Sequence, residues 1–225
     1  MYTRLCTTRI HRYTPAEMTR QHPITYLMWL LLLIGAATAV IEGTWSVLFI
    51  ALVTFGLTLI PVFGPSWTGV TLPSGFVAAM VFFITGTLFL GEVGDYYERF
   101  WWWDVLLHTG SAVGFGMIGT VIVLIMVGGN RLSASPIIGA ALAFTFAIAI
   151  GALWEIFEFA MDQIFGLNMQ KSGLIDTMGD LIVDCIGASI GASAGYAYLK
   201  WGGERGLAAT IRAIVENNIT KRHRP

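Results

Sequence analysis

Residues 176–195, DTMGDLIVDCIGASIGASAG, carry a carboxylate at every fourth position (Asp176, Asp180 and Asp184) within an otherwise apolar stretch. At helical geometry that spacing drifts only ~40° per step, so the three acids share one stripe. Upstream, WEIFEFAMD at 154–162 sets Glu155, Glu158 and Asp162 at i, i+3 and i+7. WWWDVLLH at 101–108 sets Asp104 and His108 one turn apart. Carboxylates joined by one imidazole on facing helices are a donor set with which helical bundles hold metal ions.

The surroundings make that chemistry pressing. An ionised side chain in hydrocarbon costs ~2.5–3.5 kcal/mol on insertion scales, and neighbouring carboxylates repel one another. Protonation, a water-filled cavity or a bound cation would each relieve this, and a multivalent cation relieves both penalties together. An oxygen-rich site with one imidazole suits Mg²⁺, Mn²⁺ or Ca²⁺ ahead of Fe or Zn²⁺. The expected metal ligands are Glu155, Glu158, Asp180, Asp184, His108, Asp104 and Asp176. His108 is also a candidate general base, with Asp104 orienting it. Plainer roles stand beside these: Asp176 and Asp104 fall where helices begin and suit caps, Asp162 suits a loop edge, and His108 alone would suit a core histidine.

The elements that must position these groups follow from composition. The chain has 225 residues, of which 56% are hydrophobic and 12% charged, with a mean hydropathy of +0.70. Long apolar runs between short polar breaks predict an all-α, polytopic membrane protein rather than a barrel of alternating segments. Six runs are long enough to cross ~30 Å of hydrocarbon. They fall at 24–41, 45–63, 73–91, 104–127, 136–161 and 178–200, forming one transmembrane domain over 24–201 between a tail at 1–23 and a tail at 202–225. AATA at 36–39 faintly resembles a signal-peptidase site, but the run before it is longer than a signal core, so it reads as a retained first span.

Eleven of the thirteen Lys and Arg residues lie on one side of this arrangement, with Arg99 and Lys171 on the other. The positive-inside rule then puts both termini in the cytoplasm and predicts a bacterial inner-membrane location. Eleven of the fourteen acids fall at or near the outer face, and the acidic stripes of the last three spans share one depth. A net charge of −1 excludes nucleic acid as an expected partner. Cys6 and Cys185 are too far apart in this layout to imply a disulfide.

Gly187, Gly191 and Gly195, with Ala188 and Ala192, and the pair Gly110 and Gly114, predict closely packed helices. Tyr96, Tyr97, Trp101, Trp102 and Trp103 suit an aromatic belt. The C-terminal tail aligns Leu207, Ile211, Ile214 and Val215 on one face, as in an amphipathic helix lying on the inner membrane surface.

DVLLH at 104–108, WEIFEF at 154–159 and DTMGDLIVDCIGASIGA at 176–192 resemble the motifs of VanZ-like membrane proteins, and more closely those of their YjdF-type inner-membrane relatives. The VanZ-like pattern is D-x3-H, E-x2-Q, then D-x3-N followed by G-A-x2-G. Here Glu158 and Asp184 stand where that pattern has Gln and Asn, which makes the site more acidic. The resemblance covers residues 90–200 and implies the same six positions: Asp104, His108, Glu155, Glu158, Asp180 and Asp184. VanZ-like proteins are associated with glycopeptide resistance, but the likeness implies no substrate.

Three functions are open on these observations. The first is a membrane metalloenzyme acting on a lipid-linked or cell-envelope substrate. The second is a structural or accessory subunit, docked in the bilayer against a larger complex or a second copy. The third is a proton- or ion-coupled transporter, weakened by the bare inner halves GMIGTVIVLIMV and FTFAIAIGA.

Overall fold

The structure, a computed structural model, describes residues 21–68, 71–129 and 131–218. The basic residues Arg4, Arg9, Arg12, Arg20, Lys221, Arg222 and Arg224, and Cys6, lie outside them. Every regular element among the described residues is helical. In chain order these are α1 (Pro23–Glu42), α2 (Trp45–Thr68), α3 (Ser74–Thr85, continued by a π-helical stretch Gly86–Val93) and α4 (Tyr96–Arg99). They are followed by α5 (Trp102–Gly128), α6 (Pro136–Phe165), α7 (Leu174–Trp201) and α8 (Gly206–Asn218). By length and composition, α1, α2, α3 with its π-helical end, α5 and α6 qualify to cross a membrane. At 28 residues α7 is also long enough, but three aspartates and its run of small residues lower its hydropathy below theirs. It begins four residues before the expected boundary at 178, which puts Asp176 in its first turn.

The chain divides into two compact units, Met1–Gly94 and Asp95–Pro225. In the first, α1 and α2 are joined by a two-residue turn that Gly43 permits with φ 71°, a region where a side chain would be strained. The core is built on Met28, Val77 and Val81, and on Leu32, Ala51 and Phe89. The π-helical end of α3 was not expected from sequence. It carries Phe89, whose ring fills the place a methyl group on Gly35 of α1 would take. Thr58 ties the layers, accepting from Trp29 Nε1 at 2.9 Å and donating to the Phe55 carbonyl at 2.6 Å.

The second unit is three long helices, α5, α6 and α7, with α8 docked on α5 and α7. Its packing depends on missing side chains. A methyl at Gly187 or Gly191 would collide with the backbone carbonyl of Thr109 or Val113, and one at Gly195 with the Thr120 side chain. Gly116 faces the backbone of Gly191 and Ala192 from the other side, and Gly119 meets Ala143 of α6. The α7 glycines therefore act as expected. On α5 the expectation fails: Gly110 and Gly114 face open space, and the contact glycines are Gly116 and Gly119. The reason is helical phase, since i, i+4 spacing finds a stripe without saying which side of the helix meets a partner.

Two surface expectations are also corrected. Trp103 is not part of an interfacial belt; it is buried, with its ring 4.9 Å from that of Tyr96, while Trp101 and Trp102 remain exposed. The apolar side of α8 packs on the bundle through Ala208, Ile211 and Ile214, leaving Leu207 exposed. On its outer side Arg212 Nε donates to Glu216 at 2.7 Å, and that hydrogen bond raises the guanidinium above its ordinary pKa.

Gly187→Ala and Gly191→Ala are expected to destabilise the protein by about 1–3 kcal/mol through overpacking against backbone that cannot yield. Gly110→Ala and Gly114→Ala should be neutral or stabilising, because they gain helix propensity in open space. Thermal unfolding in detergent checks the contrast.

Candidate metal centre

The site lies entirely within the second unit and is built by α5, α6 and α7. Glu155, Asp180 and Asp184 are 4%, 5% and 2% exposed, and His108 is 8% exposed. Asp104 sits one turn before His108 in the first turn of α5 and keeps a third of its side chain in the open.

His108 is the meeting point. Its Nδ1 lies 3.4 Å from Asp184 Oδ1, and its Nε2 lies 3.7 Å from Asp104 Oδ1 and 3.9 Å from Glu155 Oε1. One ligand atom each from Asp104, His108 and Asp180 lie within 4.8 Å of one another. The two Nε2 separations exceed good hydrogen bonds and match those of donors arranged around a shared ion, whereas the Nδ1 separation is the shortest of the three and within reach of a long hydrogen bond.

The hydrogen-bond balance is incomplete. Both oxygens of Glu155, Oδ2 of Asp180 and Oδ2 of Asp184 are buried and accept no hydrogen bond among the described residues. Buried polar atoms in native proteins are nearly always partnered, so four carboxylate oxygens left over in one place mark a site for something positive or for water. The two cations expected on this side are engaged with surface acids, Lys171 Nζ with Glu98 at 2.8 Å and Arg99 Nε with Asp95 at 3.5 Å.

The remaining acids have partners of their own. Glu158 is half-buried and accepts from Trp154 Nε1 at 2.8 Å. Asp176 accepts the Lys171 backbone N–H at 3.0 Å, closing the loop that enters α7. Asp162 accepts from the backbone N–H groups of Met169 and Gln170 at 2.7 and 2.9 Å, which fixes the same loop beyond the end of α6. Of the seven sequence-nominated ligands, five converge on His108 or include it. Glu158 and Asp176 have the hydrogen bonds just described, to Trp154 and to the backbone of Lys171.

Sequence reasoning missed one contributor. Gly151 stands one turn before Glu155 on α6, and a methyl there would occupy the position of the Asp184 carboxylate. The signal was available, because Gly151 and Glu155 at i and i+4 share a face of the helix.

The apolar helices and this buried polar cluster define the class: an α-helical membrane protein. The chain belongs to the family described as "Predicted membrane protein (DUF2238)", whose model matches residues 24–201. A Thermotoga maritima protein described as "Uncharacterized protein" is 35% identical over 99 residues, which is 44% of this chain and 50% of that relative. The match thus spans about half the length of that curated relative. No solved structure matches significantly.

Without a bound ion, Glu155→Gln removes a buried, unpartnered charge and is expected to stabilise the protein by about 1–3 kcal/mol, given the cost of such a charge in apolar surroundings. Melting of chelator-treated protein in detergent checks this; an unchanged or lowered melting temperature would mean that Glu155 is already compensated.

Proposed function

We propose that this is a six-span inner-membrane protein that binds a divalent cation among Asp104, His108, Glu155, Asp180 and Asp184, near the outer leaflet. The observation that carries the reading is the set of unpartnered carboxylate oxygens in the buried cluster around His108, above all both of Glu155 and Oδ2 of Asp180. An ion there removes their mutual repulsion and replaces the water each would otherwise keep. The donor set, mostly oxygen with one imidazole nitrogen, suits Mg²⁺, Mn²⁺ or Ca²⁺ before Fe or Zn²⁺.

In this reading α7 is the sixth span, because Asp180 and Asp184 are buried in the bundle while Ile182, Ile186 and Ile190 are exposed on the surface. The distribution of Lys and Arg supports cytoplasmic termini, with the cluster facing outward. The likeness to VanZ-like and YjdF-type proteins belongs to the same reading, since its three motifs supply the residues of the cluster.

The half-open Asp104 gives the site one accessible side and favours metal-assisted chemistry on a lipid or envelope substrate, with the ion polarising a phosphoryl or acyl oxygen or activating water. The competing reading is a structural ion, favoured because the five residues come from all three long helices of the unit, so one ion would tie these helices together. Transport is not supported: toward the C-terminal end of α7 beyond Asp184, the seam is closed by Gly187, Ala188, Gly191 and Ala192.

Elemental analysis of the purified protein should find about one divalent ion per chain. The double variant Asp180→Asn with Glu155→Gln should lack it. A folded, metal-free variant without cellular function supports chemistry, and a variant that melts far earlier supports the structural role. A metal-free wild type that regains no ion on incubation with Mg²⁺, Mn²⁺ or Ca²⁺ would end the proposal.

A further inference from the structure

The two ring nitrogens of His108 face different carboxylates. Nε2 looks toward Asp104 and Glu155 at 3.7 and 3.9 Å, while Nδ1 looks toward Asp184 at 3.4 Å. A single imidazole cannot give both nitrogens to one ion, because their lone pairs diverge. A neutral ring has one N–H and one lone pair, and a ligating histidine characteristically places its N–H on a carboxylate or carbonyl. Two donors each about 2.1 Å from one ion stand roughly 3–4 Å apart. Both nitrogens meet that range, but Nε2 does so with two carboxylates, one of them the accessible Asp104, and Nδ1 with one that is wholly buried, so Nε2 is the nitrogen on the ion's side.

That leaves Asp184 behind the ring. Its carboxylate is 2% exposed, with Oδ1 toward Nδ1 and Oδ2 against the backbone of α6 at Gly151, where any Cβ would displace it. Resting on the cation reading above, we infer that Asp184 and Gly151 are a positioning pair rather than ligands. Asp184 accepts the Nδ1 proton of His108 and so turns the Nε2 lone pair toward Asp104, Asp180 and Glu155. Gly151 leaves the gap in α6 into which the Asp184 carboxylate fits. The acids of the cluster thus divide into three that would hold the ion and one that aims the imidazole.

Mn²⁺ added to the metal-free full-length protein in detergent provides the test, with affinity and the ¹⁴N coupling of bound Mn²⁺ both read by electron paramagnetic resonance. Asp184→Asn keeps an acceptor oxygen of the same shape and should bind within about threefold of wild type with the ¹⁴N coupling intact. Asp184→Ala and Gly151→Ala should each weaken binding about 10–100-fold, the range for loss of an outer-shell partner, and lose the coupling as the ring turns away. Asp180→Asn should lose more affinity than any of these. Asp184→Asn as damaging as Asp180→Asn would make Asp184 a ligand and overturn the inference while the cation site stands. Wild-type affinity in Gly151→Ala would overturn the part assigned to glycine. A wild type that binds no Mn²⁺ would remove the cation reading and the pair with it.

Discussion

Glu155, Asp180 and Asp184 are almost wholly withdrawn from solvent, beside an imidazole that can bring at most one positive charge to all of them. In apolar surroundings, two or more ionised carboxylates at such separations are strongly unfavourable unless a positive charge sits among them. The rest of the second unit follows from that condition. The three helices must come close enough for side chains as short as aspartate to meet, which requires a seam of glycine and alanine at Gly116, Gly187, Gly191 and Gly195. The membrane makes close approach feasible, because helix association there rests on packing of small residues rather than on expulsion of water.

Acids in this protein separate by what they bond to. Asp162 and Asp176 accept backbone N–H groups of the α6–α7 connection, and Glu98 meets Lys171 of the same loop. These are scaffold contacts that tie the C-terminal end of α6 to the N-terminal end of α7. Glu158 has the indole of Trp154. Around His108, both oxygens of Glu155 and one each of Asp180 and Asp184 have no hydrogen-bond partner among the described residues. That difference, rather than acidity as such, separates a site from a rim.

Much of this could be read in the chain. The hydropathy runs matched helices to within a few residues at most boundaries, because a long apolar segment has one low-energy backbone in a membrane. Helical spacing put Asp180 and Asp184 on one stripe, and the order of the runs put that stripe level with Glu155 and His108. The same reasoning misjudged Gly110 and Gly114 and Trp103, since each depends on how far a helix is rotated about its own axis, and it named the apolar face of α8 but not the bundle that covers it. A π-helical end on α3 was equally invisible, because nothing in GTLFLGEV announces a wider turn.

By itself, then, the sequence determined an all-helical membrane protein with acids gathered toward one end of its last three long helices. Local periodicity and hydropathy suffice for that, as both act within a single segment. The tertiary structure decided which carboxylates lack a partner, which nitrogen of His108 each one faces, and that Gly151 opens the wall behind Asp184. Those facts depend on helix phase, crossing and separation at the scale of a single methyl group, and only packing between segments sets them.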